Sequence, residues 1–178
     1  MRRMVFSLFM LTLSGLGYSQ QYTPVDEGSS VQFKIKNLGF NSGGSFSGLK
    51  GIIFFDPEDL SKSKFEVTLD ASSVNTDNNM RDNHLREESY FDVKNYPLIR
   101  FVSTKVTLSN RKGVYFIFGK LSIKNKTAEI SFPFTATLST SGCLFEGEFN
   151  INRRDFEVGG SSTLSDKVVV SLHVLSKK

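Results

Sequence analysis

Residues 127–138 of the chain are Thr-Ala-Glu-Ile-Ser-Phe-Pro-Phe-Thr-Ala-Thr-Leu, and this stretch decides the fold class. From Ile130 onward every second residue is apolar, and Ser or Thr stands at most of the positions between them. Such alternation predicts a β-strand with one dry face and one wet face. The segments 64–71 and 144–152 show the same pattern. We therefore expect an antiparallel sheet.

The composition agrees with an all-β protein. The chain has 178 residues, with seventeen Phe, no Trp and only three Ala, and this length is typical of one domain. Ala is the best helix former, so a helical bundle would use more of it, whereas aromatic and β-branched residues favour strands. The apolar content also excludes an intrinsically disordered chain.

Eight segments carry strand signals, and short turn-rich links join most of them. Short links favour an up-and-down order, and eight such strands can close into a barrel. A barrel of this size either fills itself with side chains or holds one small ligand, and the alternation leaves both open. The expected strands are 31–37, 45–55, 64–71, 98–108, 114–124, 127–138, 144–152 and 167–175.

Two connections are longer than a hairpin requires. Residues 72–97 link the third and fourth strands, and we expect a short helix over 78–87 with Asp77 as its cap. Residues 153–166 link the last two strands and contain Gly159-Gly160. Connections of this length are usually functional or mobile.

The first residues predict export. Arg2 and Arg3 precede an apolar run of about a dozen residues, and small residues follow at Gly17 and Ser19, as in a secretory signal peptide. We expect residues 1–19 to be cleaved and 20–178 to form one soluble periplasmic or secreted domain. Without the two arginines the net charge of +4 falls to +2. Since no basic run exists, no nucleic-acid partner is expected.

Few residues suggest chemistry. Cys143 is the only cysteine, so we expect no intrachain disulfide and interpret it as a small buried hydrophobe. His84 and His173 are the only histidines and lie far apart in the sequence. No nucleophile elbow is present. The sequence therefore predicts a protein that is not an enzyme, with no catalytic residues, no metal site and no required cofactor.

Several blocks, in order along the chain, resemble the YceI family. The first is Arg81-Asp82-Asn83-His84-Leu85, followed by Phe91-Asp92, Pro97, Phe101 and Ser103. The others are Val31–Ile35, the spacing Phe46…Gly48…Gly51, Gly119-Lys120-Leu121-Ser122-Ile123-Lys124, and Ile151-Asn152-Arg153-Arg154-Asp155-Phe156. The sequence departs from the family pattern in turns and loops, at Ser89-Tyr90, Ser122, Asn125 and Glu157.

The resemblance implies an exported, lipocalin-like antiparallel barrel that binds an isoprenoid lipid, with an isoprenoid quinone as one candidate. It also implies transient membrane contact and a monomer or homodimer. The ligand would lie in the lumen, against apolar side chains of the strands. These lumen residues are Phe33, Ile35, Phe65, Val67, Leu69, Phe101, Phe116, Phe118, Ile130, Phe132, Phe134, Phe145, Phe149 and Ile151.

Polar residues at the barrel mouth have two interpretations. Arg81, Asp82, His84 and Arg153 would contact a lipid head group, or they would pin the long loop and form surface ion pairs. Two further alternatives concern the whole protein. One is a stress-related or interaction protein whose barrel is filled and holds no lipid. The other is a membrane-spanning barrel, because alternation alone does not say which face points inward.

Overall fold

The computed structural model describes residues 20–160 and 163–178, so the predicted signal peptide lies outside the described residues. Nearly all of the ordered structure is strand. The strand segments are β1 (Gln20–Pro24), β2 (Ser30–Asn37), β3 (Phe40–Phe46), β4 (Lys50–Phe55), β5 (Lys64–Asp70), β6 (Leu98–Leu108), β7 (Val114–Ile123), β8 (Lys126–Leu138), β9 (Gly142–Asn152) and β10 (Leu164–Lys177). One α-helix, α1 (Asn79–Arg86), and three short 3₁₀ turns complete the elements.

Antiparallel pairing closes these segments into a barrel. Successive pairings run from β4 through β5, β6, β7, β8 and β9 to β10, and β10 then pairs with both β1 and β2. Segments β1 and β2 together form one interrupted strand, and β3 and β4 form its partner. Counted this way the barrel has eight strands, which confirms the predicted all-β, eight-stranded, lipocalin-like architecture.

The prediction of one continuous strand over 45–55 was wrong, because the strand begins earlier and is interrupted. Pairing with β2 begins at Phe40, and residues 47–49 interrupt the strand between β3 and β4. Gly48 has φ +73° at this break, and a Cβ on Gly51 would lie 2.1 Å from the carbonyl oxygen of Glu66. Both positions therefore require glycine. Segment β1 was missed altogether.

Helix α1 lies in the loop between β5 and β6, as predicted, but its cap was assigned to the wrong residue. The Asn78 side chain accepts a hydrogen bond from the backbone N–H of Arg81, which makes Asn78 the N-cap. Asp77 precedes it with φ +57°, in the left-handed region. Asn and Asp both suit a helix start and both tolerate this backbone region, so composition alone does not separate them.

A cluster of aromatic rings fills one end of the barrel. Phe55 is fully buried, and its ring packs edge-on against four neighbours at centroid distances of 5.2 to 6.2 Å. Edge-to-face pairs add about 0.5–1.5 kcal/mol each beyond the area they bury. We call this cluster the aromatic floor; it consists of Phe55, Phe65, Tyr115, Phe134 and Phe145. The floor end is the end that carries the β6–β7 and β8–β9 hairpins.

The apolar face of each strand points into the barrel. In β8, for example, Phe132 and Phe134 are buried whereas Glu129 and Ser131 are exposed. This is the reverse of a membrane-spanning barrel, whose apolar face meets lipid. The barrel is thus a closed wall around a dry interior.

The reactivity of the buried Cys143 thiol reports how tightly the floor end is packed. Burial raises the pKa of its thiol to about 12, from an ordinary value of 9.0. Because the thiolate is the nucleophile, we expect alkylation of the folded protein at pH 8 to be about a thousandfold slower than that of an unperturbed thiol. Iodoacetamide labelling followed by mass spectrometry measures the rate. Unfolding in urea should restore the ordinary rate, and rapid labelling of the folded protein would contradict the burial.

Candidate functional site

The end of the barrel opposite the aromatic floor contains a cavity of about 240 Å³. We call this end the mouth; here β5 meets α1, β9 meets β10, and β2 meets β3. Aliphatic and aromatic side chains from almost every strand line the cavity, and Tyr90 and Phe91 contribute from the long loop, residues 71–97. Such a lining suits an apolar ligand and offers little to a polar one.

Most of the side chains expected in the lumen line this cavity, and two do not. The residues that do so are Phe33, Ile35, Phe65, Val67, Leu69, Phe101, Ile130, Phe132, Phe134, Phe145, Phe149 and Ile151. Placing Phe116 and Phe118 in the lumen was wrong: Phe118 is 39% exposed, while its neighbour Ile117 is buried and lines the cavity. Contact of any of these residues with a ligand stays a prediction.

The structure adds cavity residues that the sequence reasoning missed. On β7 these are Ile117, Leu121 and Ile123, at alternate positions. Lys120 and Ser122 alternate with Leu121 and Ile123. These polar residues indicate that the even-numbered residues of β7 face solvent and the odd-numbered ones face the lumen. On β10 the inward residues, also alternate, are Val168, Val170, Leu172 and Val174.

The long loop covers the mouth with aromatic side chains. The Phe91 ring packs edge-on against Phe46 at 5.2 Å, and Phe46 packs in turn against Phe33 at 5.6 Å. Leu85 of α1 and Tyr90 also reach the cavity. The loop is therefore part of the apolar wall.

Arg81 and Asp82 fasten this loop to itself. The Arg81 guanidinium donates to the side-chain hydroxyl of Thr76 at 2.7 Å and to its carbonyl at 2.6 Å. The buried Asp82 carboxylate accepts hydrogen bonds from the backbone N–H and the hydroxyl of the same Thr76. Both side chains thus hold Thr76, at the base of α1, and this agrees with the loop-pinning interpretation.

His84 lies on the surface of α1. Its Nδ1 is 2.8 Å from Oε2 of Glu87, and its ring packs edge-on against Tyr90 at 4.8 Å. The side chain is about half exposed, at 56%. Its partners are thus an exposed carboxylate and a loop ring at the mouth.

Arg153 is a buried cation at the mouth, with 3% exposure. Its guanidinium donates to the backbone carbonyls of Val158, Gly160, Leu164 and Ser165 at 2.7 to 3.1 Å, and it lies 3.2 Å from the Asp166 carboxylate. The N–H donors of an Arg side chain are accounted for by these partners. Arg153 thus organises the loop between β9 and β10 and has no donor left for a head group.

The wall of the barrel is not uniformly hydrogen-bonded. Within the described residues, β8 pairs with β7 from Lys126 to Thr135, but with β9 only from Phe134 to Leu138. This ladder stops next to Pro133, which lacks an N–H donor. Beyond it, the rings of Phe132 and Phe149 stack at 4.2 Å, and Lys126 lies 2.8 Å from the Glu157 carboxylate. We call this stretch the β8–β9 seam.

Comparison with known proteins places this arrangement in a family. A model of the YceI-like domain matches residues 22–175, almost all of the described barrel. The chain belongs to the YceI-like domain family. A UPF0312 protein of Pectobacterium carotovorum is 30% identical over 160 residues, which cover 84% of this chain and 81% of the relative. A UPF0312 protein of Yersinia enterocolitica is 28% identical, with the same coverage.

Solved structures share the barrel. BcnA of Burkholderia cenocepacia superposes with a TM-score of 0.80 at 25% identity, covering 85% of this chain and 98% of BcnA. The Campylobacter jejuni YceI protein gives 0.69 at 28% identity, covering 76% and 84%. A polyisoprenoid binding domain from Saccharophagus degradans gives 0.71 at 13% identity, covering 90% and 99%, and at that identity shows the fold alone.

The described residues contain neither a metal-ligand cluster nor a membrane-spanning helix. Within residues 20–160 and 163–178, no three His, Cys, Asp or Glu side chains are grouped so that they could hold a metal ion. No helix in the same part of the chain is long and apolar enough to cross a membrane.

Replacing Arg153 should show what holds the YceI mouth together. We expect Arg153→Gln to lower the free energy of unfolding by about 2–4 kcal/mol, because buried carbonyls lose their donor at about 1–3 kcal/mol each. Urea unfolding followed by circular dichroism measures this. Arg154 is the matched control: it is 45% exposed and pairs with Asp166, so Arg154→Gln should cost less than about 1 kcal/mol. Equal losses would contradict the role of Arg153.

Proposed function

We propose that this YceI protein is an exported, non-enzymatic carrier that holds an isoprenoid lipid in its lumen, with an isoprenoid quinone as one candidate cargo. The observation that carries this proposal is the cavity itself. Its surface is apolar both on the strands of the barrel and on the long loop that covers the mouth. Burying a polar ligand group without a partner costs about 2–7 kcal/mol, so the cavity favours hydrocarbon. The fold shared with the polyisoprenoid binding domain of Saccharophagus degradans is in keeping with such a cargo.

The polar groups at the mouth support a binding role. Arg153 and Asp82 are engaged with the chain's own backbone and with Thr76, and His84 lies on the surface beside Glu87. None of them projects into the cavity as a free general base or nucleophile. Selectivity for the cargo would therefore come from the shape of the lumen, and chemistry on the cargo is not part of the proposal.

The aromatic floor gives the cargo a direction. It closes the far end, so an apolar chain would enter tail first and leave its polar end under the long loop. The orientation suits a quinone or a phosphorylated isoprenoid equally. The floor itself is filled with rings, and Phe65, Phe134 and Phe145 form the bottom of the cavity, so a ligand would occupy the lumen between the floor and the mouth.

The energetics suit a carrier. Burying one isoprene unit from water is worth roughly 3–4 kcal/mol, at about 0.8 kcal/mol for each CH₂-sized group. Eight units would exceed the ceiling of about 18–21 kcal/mol for non-covalent affinity. The lipid does not start in water, however, but in a membrane that is equally apolar. Transfer between membrane and lumen is then nearly neutral, and the cargo can be both collected and released.

Extraction of the native protein tests the proposal. We expect a purification without detergent, from a host that makes isoprenoid quinones, to yield about one isoprenoid lipid per protein molecule by mass spectrometry. Recovery of no stoichiometric lipid would overturn the carrier function and favour the alternative of a barrel without a lipid ligand.

A pair of aspartate variants tests the lumen. Phe149 of β9 lines the cavity, and Phe118 lies on the outer surface of β7, on the other side of β8. We expect Phe149→Asp to reduce retained lipid at least about tenfold, because a charge in the lumen costs more than about 1.4 kcal/mol. Phe118→Asp should retain it fully. Circular dichroism and thermal unfolding identify which variants are folded, and equal retention by two folded variants would exclude the lumen as the site.

A further inference from the structure

The hairpin formed by β2 and β3 ends in a turn that its sequence does not favour. Leu38 and Gly39 occupy the turn with φ +48° and +86°, the backbone of a type I′ hairpin. Asn-Gly or Asp-Gly is the usual pair at this turn, and a bulky residue in the left-handed region is uncommon. Leucine at this position is locally unfavourable, and such exceptions are expected at functional sites.

The same tip exposes two large apolar side chains to solvent. Leu38 is 74% exposed and Phe40 is 79% exposed. They stand one residue apart, at the end of a hairpin whose β3 edge meets the rest of the protein at the Ser45–Asn75 bridge. Nothing in the described part of the chain covers them, and two adjacent exposed residues of this size mark a surface for an apolar partner.

The tip lies beside the opening of the cavity. Phe33 and Ile35 of β2 line the cavity, and Asn37, the last residue of β2, pairs with Leu164 at the start of β10. The Thr163 hydroxyl donates to the Asn37 side chain at 2.7 Å, which ties the base of the tip to the loop that Arg153 organises. Leu38 and Phe40 therefore project outward from the mouth.

The hairpin is also cationic. Residues 30–46 include Lys34 and Lys36 and no Asp or Glu, and both lysines lie on the exposed face of β2. The long loop differs, because it carries charges of both signs: exposed Asp77, Glu87 and Glu88 together with exposed Arg81 and Lys94. An anionic surface would therefore attract the hairpin more strongly than the loop.

We propose that the tip of this hairpin, Leu38 to Phe40, inserts into the surface of an anionic lipid bilayer and sets the cavity mouth against the membrane. The Leu38 and Phe40 side chains would sit at the boundary between head groups and acyl chains, and Lys34 and Lys36 would lie among the anionic head groups. So few anchoring groups give weak, reversible binding. As a route for cargo this surface rests on the proposed carrier function, but its attachment to a membrane does not.

A tryptophan placed at the tip reports insertion directly. The chain contains no Trp, so Phe40→Trp adds a single tryptophan, which can be excited at 295 nm apart from the five Tyr. We expect its emission to shift to the blue with vesicles of phosphatidylethanolamine and phosphatidylglycerol, and to shift much less with phosphatidylcholine alone. Leu108→Trp is the matched control, since Leu108 is 70% exposed at the floor end. Equal shifts at both positions, or none at position 40, would overturn the proposal.

A turn variant separates membrane binding from stability. Leu38→Asn creates the favoured Asn-Gly turn, so we expect it to fold at least as stably as the native protein. Its co-sedimentation with the anionic vesicles should nevertheless fall about tenfold, and Lys34→Glu with Lys36→Glu should have a similar effect. Unchanged binding by these variants, or light scattering that shows the tip joining two copies of the chain without vesicles, would contradict membrane insertion.

The lipid content of the same variants keeps the two proposals apart. Leu38→Asn changes no cavity residue, so protein extracted from cells should contain lipid whether or not the tip binds membranes. Full vesicle binding by a protein that never contains lipid would remove the carrier function and leave the membrane surface. Full lipid content in a protein that does not bind vesicles would remove the membrane surface and leave the carrier function.

Discussion

The pairing of the last strand with the first is the constraint on which the structure depends. β10 pairs with β9 on one side and with β1 and β2 on the other, so a sheet that would have two open edges becomes a closed wall. Closure removes most of the edges that would otherwise recruit other strands, and the β3 edge meets the long loop at the Ser45–Asn75 bridge. Closure also means that the inward side chains of all the strands pack into one shared interior. The aromatic floor, the cavity and the buried Arg153 all follow from having a closed interior.

The two ends of this interior are built from different chemistry. At the floor end, tight hairpins bring aromatic rings together, and the core is filled by edge-to-face packing. At the mouth end, two long connections cover the opening, and polar side chains hold them by hydrogen bonds to backbone groups. Arg81, Asp82 and Arg153 are thus used to shape loops over a dry space. A YceI barrel can in this way be filled at one end and hollow at the other.

The architecture was predictable from residue patterns, and its irregular parts were not. Alternation along β5, β8 and β9 identified those strands, and several sequence blocks in order along the chain, among them the one around Arg81, indicated the family. The middle of β3, Asn41-Ser42-Gly43-Gly44, has no apolar alternation, so the sequence did not predict its pairing with β2. In β7, bulk favoured Phe116 and Phe118 for the lumen, although Lys120 and Ser122 showed that even-numbered residues face water. The roles of Arg81 and Arg153 depend on loop carbonyls that no sequence pattern reveals.

Pro133 makes the wall mechanically uneven. Around most of the circumference, widening the barrel would break a ladder of backbone hydrogen bonds, whereas at the β8–β9 seam it would separate two stacked rings and one exposed ion pair. Side-chain contacts of this kind deform in small steps, while a ladder resists until it breaks. The cross-section of the lumen therefore resists widening where ladders run and yields more easily at the β8–β9 seam. Where the ladder is missing, side-chain movement alone would adjust the bore of the barrel.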